Sequence, residues 1–353
     1  MAGIVRRMGK GAYSVSPRYT SDWSYLVKRD DLLPSSASRI IIGCHGYGGD
    51  ATTYGPNQPP AAHIKALVQA GFAVLGVDHA RINSFGDPDA MRALDDVYTY
   101  VTTTLGFSNT KIGFFGWSMG GLVALNWLKR NASKVYGAML WNPATDLRYF
   151  RDNSGAYTPT YSVGGAGASQ GAYATDINAN FAPSNTTTST VTIPALGGAG
   201  VTLTLSAFSV GNVFADVDDN ANVGLPKAVV NGGTFTYTGK TDTTLTGCVS
   251  VNASTISVTS GMTVTGSYAN QSPSYIPWNE AAYIGGLGVP VKVIQATDDT
   301  TVPPEQNTHA STGFVARANN ANVTLRTTTG GHTLAFNNVP TQETVDWFTL
   351  KAA

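Results

Sequence analysis

Ser118 stands in Gly116-Trp117-Ser118-Met119-Gly120-Gly121, with a glycine two residues to either side. The apolar run Ile112-Gly113-Phe114-Phe115 leads into it, and Leu122-Val123-Ala124-Leu125-Asn126-Trp127-Leu128 follows with helical character. The pattern predicts a strand, a sharp turn and a helix. A serine at such a turn is held in a strained conformation with its hydroxyl clear of the sheet. Gly116 and Gly120 are needed because a Cβ there would meet the neighbouring strand or helix where the chain reverses. A helix opening at Met119 turns its positive end and its free N–H groups toward Ser118, where developing negative charge can be bound. Such a serine is placed to attack a carbonyl carbon.

A serine hydroxyl is a poor nucleophile at neutral pH, so it needs a base, and the base needs an orienting carboxylate. Five histidines are available. His45 opens a glycine loop, His63 and His309 fall in helical stretches, and His79 ends a strand. His332, in Thr329-Gly330-Gly331-His332, follows the last strand on a loop that two glycines free to reach over the sheet's end, and it is the expected base. The carboxylate is sought in Thr297-Asp298-Asp299-Thr300-Thr301-Val302-Pro303, after another strand. Asp299 is preferred for its place before x-x-Val-Pro. Asp298 reads as a turn-forming side chain, and Asp146 as a helix cap and outside candidate. The tetrahedral oxyanion needs preorganised donors, worth about 3–4 kcal/mol each. The N–H of Met119 is one; the N–H of Tyr47, in His45-Gly46-Tyr47-Gly48-Gly49, is the second. His45, Gly46 and Trp117 are expected to line the substrate site. This chemistry needs no metal and no cofactor.

These residues must be held by a larger frame. Arg39–Cys44, Phe72–Asp78, Lys111–Trp117 and Val135–Trp141 are continuous apolar runs that suit strands buried on both faces. Between them lie helical stretches. Pro60–Ala70 carries Ile64, Leu67 and Val68 on one face. A second helix is capped by Asp87, with Pro88 in its first turn and Met91, Leu94, Val97, Tyr98 and Val101 apolar. Alternation of this kind predicts a doubly wound, mostly parallel sheet with helices on both faces. Ligands of such sheets bind at the strands' carboxyl ends, where Ser118 and His45-Gly46-Tyr47 fall. Met1–Arg39 reads as a polar lead-in, with Ser24–Lys28 a short edge strand and Pro34-Ser35-Ser36 a turn. After Trp278 the same texture returns as a strand at Pro290–Ala296, a helix at Pro304–Arg317, a strand at Val323–Thr327 and a closing helix at Thr341–Lys351. In that helix Thr341 is the expected cap and Val345, Phe348 and Leu350 the apolar side.

Between these halves, residues 151–275 are rich in Gly, Thr, Ser, Asn and Val, hold no histidine, and alternate with β period, as in Thr234-Phe235-Thr236-Tyr237-Thr238 and Thr255-Ile256-Ser257-Val258-Thr259. They predict a β-rich insertion inside a discontinuous catalytic domain of residues 1–150 and 276–353. Formal net charge is zero and only 12% of residues are charged, which argues against electrostatic nucleic-acid binding, since that needs a basic face. No apolar run approaches membrane-spanning length, and Met1–Gly11 lacks the apolar core of a Sec signal peptide. Cys44 and Cys248 lie in different kinds of sequence, which argues against a disulfide between them. Asp216-x-Asp218-x-Asn220 opens like a calcium loop but continues with Ala221 where glycine is needed and Lys227 where glutamate is needed.

Taken together, His45-Gly46-Tyr47-Gly48-Gly49, Gly116-Trp117-Ser118-Met119-Gly120-Gly121, Asp299-x-x-Val302-Pro303 and Gly331-His332 resemble the α/β-hydrolase superfamily over about residues 40–145 and 278–351. Ser118, Asp299 and His332 fall in the chain order of that fold. Gly-Trp-Ser-Met-Gly-Gly with an oxyanion tyrosine is also similar to the cutinase and polyester-hydrolase branch. The resemblance implies a serine esterase of lipase type, with the insertion in the position of a cap or lid. Gly232–Thr241 and Thr244–Cys248 are similar to segments of tail proteins from phages of actinobacteria. This implies a virion-tail or extracellular esterase acting on lipid or polymer esters of a host envelope, with phage tail proteins as partners. A serine peptidase or amidase of the same fold is an alternative, and a tail or envelope-binding protein with a relic hydrolase core is another.

Overall fold

The computed structural model describes residues 3–8, 24–29, 32, 39–107, 111–151, 172–181, 184–206, 227–266 and 288–352, apart from positions 56, 81, 242, 312 and 320. The Pro34–Ser36 turn, the Asp216–Lys227 motif up to residue 226, and Trp278 lie outside the described residues. The chain divides into two compact units: Met1–Gly86, Ala90–Tyr173 and Pro277–Ala353 form one, and Asp87–Asp89 with Ala174–Ile276 the other.

The first unit is built on eight strands: β1 (Gly3–Met8), β2 (Ser24–Arg29), β3 (Arg39–Cys44), β4 (Phe72–Val77), β5 (Ile112–Trp117), β6 (Val135–Trp141), β7 (Val291–Ala296) and β8 (Val323–Thr328). Their spatial order is β1-β2-β4-β3-β5-β6-β7-β8. From β4 to β8 the pairing is parallel, while β1 and β2 are antiparallel to their neighbours. The apolar runs read in the sequence are these central strands, and every residue of β4 and β6 is buried. Helices α1 (Ala61–Gln69), α2 (Pro88–Thr99), α3 (Met119–Arg130) and α4 (Thr341–Lys351) accompany the sheet. Two apolar clusters result: one joins Ile42, Leu75, Leu94, Phe114 and Trp127, the other Ile41, Leu67, Phe115, Trp141 and Phe348. Chain order reverses at β3, with β4 on one side and β5 on the other. The loops after β3 and β5 therefore flank a crevice at the sheet's carboxyl end.

Some expectations need correction. Met1–Arg39 is more than a lead-in: β1 pairs along its whole length with β2, from Gly3 opposite Arg29 to Met8 opposite Ser24, so β2 is not the edge. The helix expected at Pro304–Arg317 is two short ones, Glu305–Thr308 and Phe314–Ala318. The chain leaves the helical conformation at His309 (φ −58°, ψ 130°) and folds so tightly that a Cβ on Gly313 would lie 2.6 Å from the His309 nitrogen. In α4 the cap position is Pro340 rather than Thr341, and Leu350 is exposed while Thr344 and Phe348 are buried.

The second unit opens with a helix, Ala174–Phe181, which the β-type texture gave no reason to expect. Short antiparallel strands follow, in a seven-stranded sheet and a two-stranded one. Lys227–Val230 and Thr263–Gly266 bury alternate residues, as strands with one wet face do. Phe235, Tyr237, Leu245, Cys248, Ile256 and Val264 belong to its own apolar core. Cys44 and Cys248 are free, buried thiols.

Candidate active site

Ser118 takes φ 54° and ψ −121° between the end of β5 and the start of α3. A non-glycine residue in that region is strained, and it persists only where the surroundings over-determine it. Here they do. Ser118 N–H donates to the Trp141 carbonyl at 2.9 Å, and its own carbonyl accepts from Gly121 and Ala144. A Cβ on Gly120 would fall 1.9 Å from the Cys44 carbonyl oxygen, and one on Gly116 2.8 Å from the Gly120 oxygen, so the turn closes only with glycine at both places. Met119 is the first residue of α3, and its N–H is among those at a helix start with no intrahelical acceptor.

The loop after β3 lies alongside. A Cβ on Gly46 would sit 3.4 Å from Ser118 Cβ, so this loop meets the serine directly. The Gly46 carbonyl accepts from His45 Nδ1–H at 2.7 Å and from Gly49 N–H at 3.0 Å. A trans peptide points its N–H opposite to its C=O, so these two bonds set the direction of the Tyr47 N–H. The loop is braced from below by Tyr54, whose hydroxyl lies 2.5 Å from the Cys44 carbonyl and 2.9 Å from the Phe115 carbonyl. It thereby ties the carboxyl ends of β3 and β5, the strands that carry the loop and the serine. The Tyr47 ring is 44% exposed and lies 4.6 Å from Tyr173 and 5.7 Å from Phe85, between ring centroids.

His45, expected to line the substrate site, is fully buried instead. It stacks on His79 with centroids 4.0 Å apart. His79 Nε2–H donates to the His45 carbonyl at 3.3 Å, and its Nδ1 accepts from the Ser84 hydroxyl at 2.8 Å. Burial lowers the His45 pKa from 6.5 to about 4, and burial together with the neighbouring imidazole holds His79 well below its ordinary value. This pair makes a stability prediction. The unfolded chain takes up a proton at position 45 as pH falls below about 6.5, whereas the folded chain does not until about 4. The stability is therefore whole above 6.5 and falls through that window, by on the order of 3 kcal/mol for His45. Urea denaturation at pH 7.5 and 4.5 should show the loss in the wild type and a smaller one in His45→Gln. An equal loss in both would remove His45 as its source.

His332 lies in the short helix Gly331–Leu334 after β8. Its Nδ1–H donates to Asp299 Oδ2 at 2.8 Å, while Asp299 Oδ1 accepts from the N–H groups of Thr301 at 2.8 Å and Val302 at 3.0 Å. The Asp299 side chain is wholly buried. Its partnership with His332 comes from the pairing of β7 with β8: Ala296 is opposite Thr328, so a few residues further on the two loops run side by side. Phe336, 3% exposed among Phe115, Trp117 and Trp141, anchors the chain just beyond His332. Burying such a side chain is worth about 1.5–3 kcal/mol. Among the described residues no hydrogen bond joins the Ser118 hydroxyl to His332. Such bonds commonly tighten only with substrate present.

The remaining histidines are held elsewhere. His63 bonds to Thr344 and Phe336, and His309 lies in an exposed turn near Ser311. Trp117, expected as a wall of the site, donates its indole N–H to the His332 carbonyl at 3.1 Å. Asp146 accepts from the Tyr149 N–H, as the helix cap it was read to be. Two residues at this end of the sheet, Asn142 and Tyr54, escaped the sequence reading, and a third, Asp298, was read as a turn-forming side chain. Asn142 donates to the His332 carbonyl at 3.0 Å, Asp298 accepts from the N–H groups of Gly330 and Gly331, and Tyr54 braces the loop. Only the position of Asn142 at the end of an apolar strand could have marked it. Among the described residues no group of three or more histidine, cysteine, aspartate or glutamate side chains comes together in a metal-binding cluster. No described helix is long and apolar enough to cross a membrane.

Comparison with known proteins bears on this frame. The serine aminopeptidase S33 family model matches residues 35–163. Among solved structures, the chain is similar to FphF, a fluorophosphonate-binding serine hydrolase of Staphylococcus aureus, at 12% identity and a TM-score of 0.52, over 100% of this chain and 98% of that one. It is also similar to S-formylglutathione hydrolase of the same organism, at 11% identity and a TM-score of 0.50, over 100% and 96%. No curated protein matches the chain. At such identities the likeness speaks to the fold, and the fold is that of the α/β-hydrolases.

Proposed function

We propose that the chain is a serine carboxylic-ester hydrolase. The observation that supports this most is the His332–Asp299 pair at the sheet end where Ser118 stands at φ 54°. Asp299 holds the Nδ1–H tautomer of His332, which leaves Nε2 free to take the Ser118 proton. Ser118 Oγ then bonds to the ester carbonyl carbon, and the oxyanion rests on the N–H groups of Met119 and Tyr47. The tetrahedral species collapses, the alkoxide leaves with the proton from His332, and an acyl-serine remains. Water, deprotonated by His332, attacks that acyl group. The acid leaves, and Ser118 regains its proton. Gly46 keeps the space beside Ser118 clear.

The S33 family's description names an aminopeptidase, which favours a second reading: amide cleavage by the same residues. Matched p-nitrophenyl esters and p-nitroanilides of acetate, butyrate and octanoate separate the two. We expect ester turnover with anilide turnover at least about a hundredfold slower. The reverse preference would transfer the assignment to an amidase. For the natural setting we propose envelope esters of a bacterial host and a place on a phage tail. Its support is the Gly- and Thr-rich insertion, which resembles tail-protein segments, with the unit Ala174–Ile276 read as cap or binding module. Release of fatty acid from host envelope lipid by the whole chain, and its loss on deleting that unit while soluble esters are still cleaved, is the expected result.

A further inference from the structure

We infer that Asn142 and Asp298 are positioning residues that clamp the loop bearing His332 from its two sides. The inference rests on the reading of His332 as the base.

Asn142 follows the last residue of β6 at φ 44°, a left-handed conformation that asparagine tolerates better than other side chains. It is fully buried, and every polar atom of its side chain is used. Nδ2 donates to the His332 carbonyl at 3.0 Å and lies 3.3 Å from the Gly331 carbonyl, while Oδ1 accepts from Ala296 N–H at 2.7 Å. Its backbone N–H donates to the Ile294 carbonyl at 2.8 Å. One carboxamide thus joins the ends of β6 and β7 to the histidine loop. An amide so placed is a demanding device, because any partner withdrawn leaves a buried polar group unpaired. Trp117 Nε1–H, on the same His332 carbonyl, adds a third anchor from the end of β5.

Asp298 works on the other side. Gly330 (φ 108°) and Gly331 (φ 60°) both take positive φ, which glycine adopts without strain, and their successive N–H groups meet one acceptor. That acceptor is the Asp298 carboxylate, at 3.1 Å and 2.8 Å. Adjacent aspartates therefore divide one task. Asp298 grips the backbone just before His332, and Asp299 grips its imidazole. A base must sit within hydrogen-bond reach of the proton it takes, and an error near 1 Å can cost roughly a hundredfold in rate.

The test uses Asn142→Gly, which keeps the left-handed backbone and deletes the carboxamide, and Asp298→Ala, at an exposed side chain. Turnover of p-nitrophenyl acetate is measured in the full chain, alone and in a His332→Ala background. Each single variant is expected to lower kcat by roughly ten- to a hundredfold with KM within about twofold. In the His332→Ala background neither should lower the residual rate further, because a clamp without its imidazole has nothing to position. Unchanged kcat in both single variants would overturn the inference. So would the same fractional loss with and without His332, the mark of a general structural role. If His332→Ala itself kept full activity, the base assignment would fail, and that outcome is read separately from the clamp.

Discussion

Ser118→Ala is expected to lower ester turnover by roughly 10⁴- to 10⁶-fold, the scale on which loss of a nucleophile acts when its base and oxyanion donors remain. Stability should change little. The side chain is 7% exposed and donates no bond that holds the turn, which is set by Ser118 N–H on Trp141 and by the packing of Gly116 and Gly120. Alanine at φ 54° bears about the strain serine does. The assay is a series of p-nitrophenyl esters of rising acyl length, with a fluorophosphonate probe as a second readout. The wild type should be labelled and the variant not. Substantial turnover by the variant would withdraw Ser118 as nucleophile.

The second large effect is expected from Asp299→Asn, and the structure dictates its direction. Asp299 Oδ1 is held by two backbone N–H groups, from Thr301 and Val302. An asparagine there would keep its carbonyl oxygen on those donors, which leaves its NH₂ facing His332 Nδ1. A donor facing Nδ1 selects the imidazole tautomer with hydrogen on Nε2. That nitrogen can no longer accept the serine proton, so kcat near neutral pH should drop about 10⁴-fold. Side-chain volume is conserved, two of the three hydrogen bonds survive and the third is reversed in direction, so the melting temperature should stay within a few degrees. A variant that retained more than about a tenth of wild-type kcat would show that His332 does not depend on Asp299 for its tautomer. The contrast with Asp298→Ala is informative, because the neighbouring carboxylate bonds to the backbone N–H groups of Gly330 and Gly331 and not to the imidazole.

Much of this site was legible because its constraints are local. Gly-x-Ser-x-Gly between an apolar run and a helix states its own geometry, since glycines two residues to either side are what a reversal this tight demands. The buried parallel strands announced themselves as unbroken apolar runs for a similar reason: both faces of each strand must exclude water. Outside such runs the signal weakened. β1 was missed altogether, and the helix Ala174–Phe181 was hidden in a stretch of β-type texture. The preference for Asp299 over Asp298 rested on spacing alone. In the structure the 2.8 Å bond to His332 falls on Asp299, while Asp298 bonds to backbone N–H groups.

By itself the sequence determined the turn at Ser118 and the strands behind it, and it supplied candidate side chains for a serine hydrolase. It could not say that His45 would be buried against His79, nor that Asn142 would hold the histidine loop. Those facts depend on contacts between residues far apart along the chain, and no local pattern encodes them. The register of β7 against β8 sets Asp299 beside His332, and the neighbouring ends of β6 and β7 set Asn142 against the backbone of the loop that carries His332. A hydrogen bond acts within about 3 Å. The side chains that complete this site are therefore selected by which strand ends become neighbours once the sheet has formed.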